Sequence, residues 1–430
     1  MIIRASIVCA AALISASCAS AMPVDGACGP PQLNADVRAQ LSRALAARDE
    51  PAIRVAAAAT ACHFADRPVE RPERYVRVEG SERALTNEEA RSLAGPIFQQ
   101  MAARAWWTER GGAPGPLRVA SKYVENSLAL WELTGDATYL NAAREAGDYL
   151  IDLQQELGSG GFGFPIPDPS STRDEDRAGL GFLARARADG IYDQVVRKGW
   201  IIDDVGDGGL NYDAGLVGEA LLSLYASTQD RRYLDAAVRT ADWAMTRQLV
   251  PNWNYNGFTA VLLARIAKVT GDARYLQEAV VRARLGVLSG QVTEGARMGS
   301  WVDPHNGRLV YRFVMLGQLS RFINVMPADH PARAELQSGL LLGLLAAEKQ
   351  MRDNGGIGNQ ESALSAYCSL REAPVSDPAF TTRNRDMEEA LITHVIRGLR
   401  QSPPQANGEI GCLFAYSSLD GSELAPAAPR

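Results

Sequence analysis

The residues of this chain best suited to chemistry crowd one short stretch. Asp203, Asp204, Asp207 and Asp213 stand between Trp200 and an apolar run that begins at Leu216. Carboxylates this close can do acid/base work. Burying one beside others raises its pKa, so it keeps a proton to donate while a neighbour stays ionised. Cleavage of a glycosidic bond needs such a pair, one protonated and one charged. Each also has a plainer role. Asp213 can cap a helix, Asp207 in Asp207-Gly208-Gly209 can make a turn, and Asp203 with Asp204 can hold calcium, whose ligands are carboxylate and carbonyl oxygens. Asp203 and Asp204 lead as catalytic candidates, with Asp213 behind them.

A second group reads Trp301-Val302-Asp303-Pro304-His305-Asn306-Gly307-Arg308, with Tyr311 and Arg312 just beyond. A Tyr or His can take the C5 proton of a uronic acid once an arginine or a helix N-terminus has neutralised its carboxylate. That chemistry is a lyase's or an epimerase's. Asp-Pro and Asn-Gly are also turn dipeptides, so Asp303 and Asn306 can serve the backbone, with His305 a surface residue. Aromatic rings give a third signal. Trp200, Tyr212, Trp253, Tyr255 and Trp301 fall at or near connecting segments, where a large ring needs cover. A sugar offers an apolar face rimmed by hydroxyls, which such rings fit. Any single Trp can equally anchor its own loop.

The elements that position these residues are helical hairpins. Leu216, Val217, Ala220, Leu221, Leu224 and Tyr225 recur at the spacing of one helical face, which predicts a helix from about Asp213 to Thr228. Asp230 caps a more polar helix right after it. The same turn recurs as Thr134-Gly135-Asp136 and Thr270-Gly271-Asp272, each followed by Tyr-Leu and alanines. Gly can end the first helix in the left-handed conformation, and Asp starts the second. The interval from Asp230 to Asp272 is one unit, and that from Asp136 to Asp230 is about two, as in a stacked array of helix pairs. In each clear pair the first helix is apolar nearly all round and therefore surrounded by protein. The expected fold is all-α, an (α/α)6 toroid with inner helices in a ring and outer helices around it; an open solenoid is the alternative. Further expectations are helix over 35–61, a Thr86–Glu89 capping box, helix within 173–198, and a long loop over 353–377. The last helix is placed at 385–401. The short turns lead from inner to outer helix, so the long connections share one rim: 111–120, 157–178, 199–212, 249–256, 291–306 and 353–384. All three chemical signals fall there. Glu125 and Glu219 occupy equivalent places on inner helices and can face the bore or pair with a neighbouring arginine.

The inner helix ending Leu221-Leu222-Ser223-Leu224-Tyr225, followed by Thr228, Asp230, Tyr233-Leu234 and Ala236-Ala237, resembles the six-hairpin glycosidase superfamily, with echoes over 133–143 and 270–279. The resemblance covers about residues 90 to 400. It implies a helical toroid and an activity on carbohydrate. The superfamily holds unsaturated glucuronyl hydrolases and endo-acting mannanases, and related toroids include polysaccharide lyases and uronyl epimerases. Asp203-Asp204 looks like the adjacent aspartates of some of these hydrolases. Three functions follow as expectations: a glycoside hydrolase using Asp203 and Asp204, a lyase or epimerase using His305 and Tyr311 with Arg308 or Arg312, and a silent toroid that binds glycan or protein.

The rest of the 430-residue chain narrows the setting. Arg4, the apolar run 7–14 and Ala19-Ser20-Ala21 read as a secretory leader over 1–21. The rival, a lipobox at Cys18, wants a large aliphatic where Ser15 stands. The mature chain is then read as an N-terminal extension over 22–85, the toroid over 86–412 and a tail over 413–430. Outside the leader lie Cys28, Cys62, Cys368 and Cys412, an even set that suggests disulfides Cys28–Cys62 and Cys368–Cys412 in an exported protein, periplasmic or extracellular. The formal charge of −6 argues against nucleic acid. No stretch is long and apolar enough to span a membrane. The expected partner is a poly- or oligosaccharide, with uronic-acid chains among the candidates. No cofactor or metal motif is present in the sequence.

Overall fold

A computed structural model describes residues 36–66, 80–82, 85–103, 115–172, 174–205, 208–356, 360–404 and 410–412. The expected leader, Cys28, Asp207 and the tail after 412 lie outside them. Two helices, α1 (Asp36–Ala47) and α2 (Glu50–His63), precede the ring; the helix expected over 35–61 is broken beside Pro51, which lies in the first turn of α2. Next comes α3 (Asn87–Ala102), opened by the Thr86–Glu89 capping box. The hairpins follow: α4 (Gly115–Thr134) with α5 (Ala137–Leu157), then an insertion holding α6 (Asp174–Ala188) and α7 (Tyr192–Val195). After it come α8 (Gly209–Thr228) with α9 (Arg231–Met245), α10 (Trp253–Thr270) with α11 (Ala273–Gly286), and α12 (Leu309–Val325) with α13 (Arg333–Asp353). The last pair is α14 (Gln360–Glu372) with α15 (Pro378–Leu399).

Helices α4, α8, α10, α12 and α14 pack in that order around the ring, each backed by its hairpin partner. Residues 410–412 contact both the first and the last helix of this series. Ile410 donates its N–H to Asn126 on α4 at 3.1 Å, and Cys412 is bonded to Cys368 on α14. The chain end thus ties the last inner helix to the first. Inner helices touch closely where side chains vanish. A Cβ on Gly215 would lie 2.5 Å from the Cβ of Phe258, which is why α8 and α10 approach so near there.

The repeated turn does what its residues predict. Gly135, Gln229 and Gly271 all take positive φ, and Asp136, Asp230 and Asp272 accept N–H bonds from Thr138, Arg232 and Arg274 at 2.8, 3.0 and 3.0 Å. The tyrosine that follows stitches neighbouring outer helices together. Tyr233 donates to Asp148 at 3.0 Å and Tyr275 to Asp242 at 2.6 Å. Beyond the middle of the inner helices, charge closes the bore. Glu219 on α8 lies 3.8 Å from Arg265 on α10 and 3.6 Å from Arg321 on α12, and Arg321 reaches Glu372 on α14 at 3.6 Å.

Three expectations need correction. The stretch 353–377 is not one long loop: its middle is α14, an inner helix buried against α12. The glycines at 355 and 356 break the helix before it and hide its period. Helix α8 begins at Gly209, so Asp213 is inside it rather than at its cap. The last helix starts at Pro378, capped by Asp377. The insertion also holds a small antiparallel sheet, β1 (Phe164–Pro165), β2 (Val196–Arg197) and β3 (Trp200–Ile201), with β3 in the middle.

Candidate active site

The inner helices all run the same way, so their N-termini share the rim of the long connections. Strand β3 pins the approach to α8 and delivers Asp203 and Asp204 side by side. Their environments differ. Asp203 is gripped by Arg247, whose Nη1 donates to Oδ2 at 2.8 Å and whose Nη2 donates to Oδ1, and it also accepts the Val205 N–H at 2.7 Å. Burial alone would raise the Asp203 carboxyl, but Arg247 and that N–H outweigh burial and hold it below its usual value. A carboxylate fixed in this way cannot keep a proton to donate. Of the expected acid/base pair Asp203 is therefore not the proton donor; it stays the charged partner and also orients the loop. Asp204 accepts the Leu210 N–H at 3.3 Å at the start of α8 and lies 3.7 Å from Arg247, with 12% of its side chain exposed.

Asp213, one turn further, is completely buried. Arg118 near the start of α4 grips it, Nε to Oδ1 at 2.7 Å and Nη2 to Oδ2 at 3.2 Å. Burial pushes the Asp213 carboxyl up, Arg118 opposes, and the nearby Asp204 charge adds to the rise. Burial would lower the Arg118 guanidinium, but Asp213 more than offsets it and keeps the cation charged. Because no face of Asp213 reaches solvent, it anchors Arg118 and cannot itself touch a substrate. Arg118 retains 33% exposure of its side chain and stacks over the Tyr212 ring at 4.3 Å. Tyr212 meets Tyr255 on α10, with ring centres 5.4 Å apart.

The next connection continues this rim. Asn254 on α10 donates to Asn306 at 2.9 Å, and Asn306 donates in turn to Asp303. His305 lies stacked on Tyr311, with centres 4.2 Å apart and planes 27° apart, and Arg308 sits 5.2 Å above the same ring. His305, Arg308 and Tyr311 are half-buried. Arg312 turns away and is buried, donating to Ser300 Oγ at 2.7 Å, so it holds the loop instead of a ligand.

The tryptophans need a second correction. Trp253 and Trp301 are completely buried and Trp200 is 4% exposed, so none offers a face to a sugar. Trp301 donates its indole N–H to the Val287 carbonyl at 3.0 Å, pinning the connection between α11 and α12. These loops fold back over the ring and bury their own anchors. Tyr212 and Tyr255 keep the half-exposed position that a platform requires. Among the described residues no three His, Cys, Asp or Glu side chains converge as a metal site needs. Cys368–Cys412 forms as expected, and Cys62 is disulfide-bonded to a residue outside the described ones.

Arg118 and Arg247 escaped the sequence reading. A signal for Arg118 existed. A cation in the first turn of a helix faces the positive end of the dipole, so it needs an anionic partner to stay there.

No family model matches the chain, and neither does any curated protein sequence. Solved structures do match. A glycosyl hydrolase family 88 protein from Bacteroides vulgatus aligns with a TM-score of 0.50 at 10% identity, over 77% of this chain and 97% of that one. A polysaccharide lyase aligns at 0.47 and 10% identity, over 76% and 95%. An unsaturated glucuronyl hydrolase from Streptococcus agalactiae aligns at 0.45 and 14% identity, over 80% and 96%. At such identity the first likeness establishes the fold alone: the chain is an α/α toroid.

Proposed function

We propose that the protein is an exported carbohydrate-active enzyme that hydrolyses a glycosidic bond in an acidic poly- or oligosaccharide. One observation carries this reading. Asp204, Arg118, Tyr212, Tyr255, His305 and Tyr311, each partly accessible, gather along the N-terminal ends of four successive inner helices. Tyrosine faces suit a sugar ring, and Arg118 with the helix N-termini suits its carboxylate. Asp204 is the carboxyl left to move a proton to the leaving oxygen, since Asp203 is neutralised by Arg247 and Asp213 is sealed from solvent. Similarity to a glycosyl hydrolase and a lyase of this fold agrees with a carbohydrate substrate. The leader expected over 1–21 and the Cys368–Cys412 disulfide support an oxidising, extracytoplasmic setting.

A second reading is favoured by the stack of His305 on Tyr311 beneath Arg308. There Arg118 or Arg308 would neutralise a uronate, Tyr311 or His305 would take its C5 proton, and the O4 substituent would leave. One assay separates the readings. Incubation with polygalacturonate, alginate and chondroitin gives new reducing ends without ultraviolet absorbance if the bond is hydrolysed. New absorbance from an unsaturated sugar means elimination. Binding without either product would leave a silent toroid and end the enzyme reading.

A further inference from the structure

A cleft of about 410 Å³ opens beside Asp204, which is one of its lining residues. Its lining includes Phe182, Arg185 and Asp189 from the insertion, Gln248 from the connection before α10, Asp204 itself, and Ser42 from α1. Its volume falls within the range of ligand sites, roughly 300–1,000 Å³. An aromatic ring and aliphatic patches (Ile191, Leu249, Pro251) interleaved with hydroxyl, amide, guanidinium and carboxylate groups make an amphipathic surface, which suits the apolar faces and hydroxyl rims of a sugar chain.

The wall that α1 supplies is held by buried charge. Arg48, at the turn between α1 and α2, forks onto Glu278 at 2.6 and 2.8 Å. Glu278 accepts from Arg282 at 2.8 Å, and the completely buried Arg282 donates to the carbonyls of Ala244 and Arg247 at 2.6 and 2.8 Å. Arg247 is the residue that grips Asp203. A continuous set of ionic and hydrogen-bonded contacts therefore runs from the N-terminal hairpin to the Asp203-Asp204 loop. At the other end of the hairpin, Arg297 from the connection before α12 donates to the Ala61 and Phe64 carbonyls, each at 3.4 Å. The hairpin is docked across two rim connections, outside the ring it has no part in closing.

We propose that this cleft is a subsite for the glycan chain beyond the cleaved bond, with the N-terminal hairpin as its outer wall. The proposal rests on the hydrolase reading above, and it adds that the enzyme favours chains long enough to lie on both sides of Asp204. A sugar bound over Arg118 and Tyr212 places its neighbour past Asp204, into the cleft.

The test is steady-state kinetics on size-defined galacturonate, mannuronate and chondroitin oligosaccharides, from dimers to hexamers. For whichever series is cleaved, kcat/KM should rise about tenfold from dimer to hexamer, corresponding to about 1.4 kcal/mol of added transition-state binding. Ser42→Trp, which fills the cleft from the partly exposed face of α1, should remove most of that rise and affect the dimer far less. Phe182→Ala should act in the same direction. Ser338→Trp, on an exposed face of α13 away from the cleft, should leave the whole profile intact. Equal kcat/KM at every length, or equal losses at every length in Ser42→Trp, would overturn the subsite while leaving the enzyme standing. No turnover of any series would overturn the enzyme reading and the subsite with it.

Discussion

The two ends of the toroid are built on opposite principles. At the end of the short turns, the repeated polar groups serve the fold. Asp230 and Asp272 cap helices, Tyr233 and Tyr275 stitch outer helices, and Glu219 is held between Arg265 and Arg321. At the end of the long connections, two ion pairs hold a partner that is partly exposed, and a buried amide pair joins two connections. Asp213 holds Arg118, Arg247 holds the Asp203 side of the loop, and Asn306 ties Asn254 to the His305 connection. Charge is spent on closure at one end and on presentation at the other. A repeat unit can therefore be copied around a ring at one rim while the other rim diverges into a site.

The sharpest break of this comparison is Asp204→Asn. It should lower turnover by about 10²–10⁴, the usual worth of general acid/base help, with an unchanged melting temperature. A variant that melts lower and turns over normally would make Asp204 a structural residue. Next in size is the contrast between aromatics. Trp301→Ala should cost roughly 3–5 kcal/mol in denaturant unfolding, because a completely buried ring leaves a cavity. Tyr255→Ala should change unfolding far less and weaken substrate binding instead. Glu219→Ala at the closed end should cost about 1–2 kcal/mol by removing a buried carboxylate from two partly exposed arginines that keep other partners, with kcat/KM preserved.

Asp203 sets the acid limit of the rim. Its folded pKa lies below its unfolded one, so the stability it contributes is present above the ordinary carboxylate range. That stability is lost as pH falls through the folded value. Asp203→Asn should thus flatten the acid side of the stability–pH curve, and a curve as steep as the parent's would contradict the ion pair. Smallest of all, Gly271→Ala at φ 75° should cost about 1 kcal/mol. Gln229→Gly, at the matching turn, should give a small gain, both without effect on activity.

The same contrast explains what the sequence reveals. The hairpin turns are local devices: a residue that tolerates positive φ, an Asp two positions before the N–H it accepts, and a Tyr after it. All are readable within a few residues. The rim is assembled from partners far apart in the chain. Arg118 and Asp213 are separated by 95 positions and Arg247 and Asp203 by 44, and no spacing rule joins them. Asp203 and Asp204 look interchangeable in sequence because the arginine that separates their roles lies in another hairpin. Trp253 and Trp301 were misplaced for a related reason. A Trp in a connection is exposed only if the connection stands away from the ring, and these fold back onto it. Helix α14 was hidden because its first turn follows a glycine-rich break and its apolar face is short.

On the proposed function, the site lies at the rim where the inner helices begin. A crystal structure of the Asp204→Asn variant soaked with an oligosaccharide that the parent cleaves tests it directly. The account predicts a sugar carboxylate within hydrogen-bond reach of Arg118, a ring against Tyr212 or Tyr255, and the scissile oxygen beside residue 204. A glycan bound at the Glu219–Arg321 end, or one that leaves Arg118 and residue 204 untouched, would contradict it.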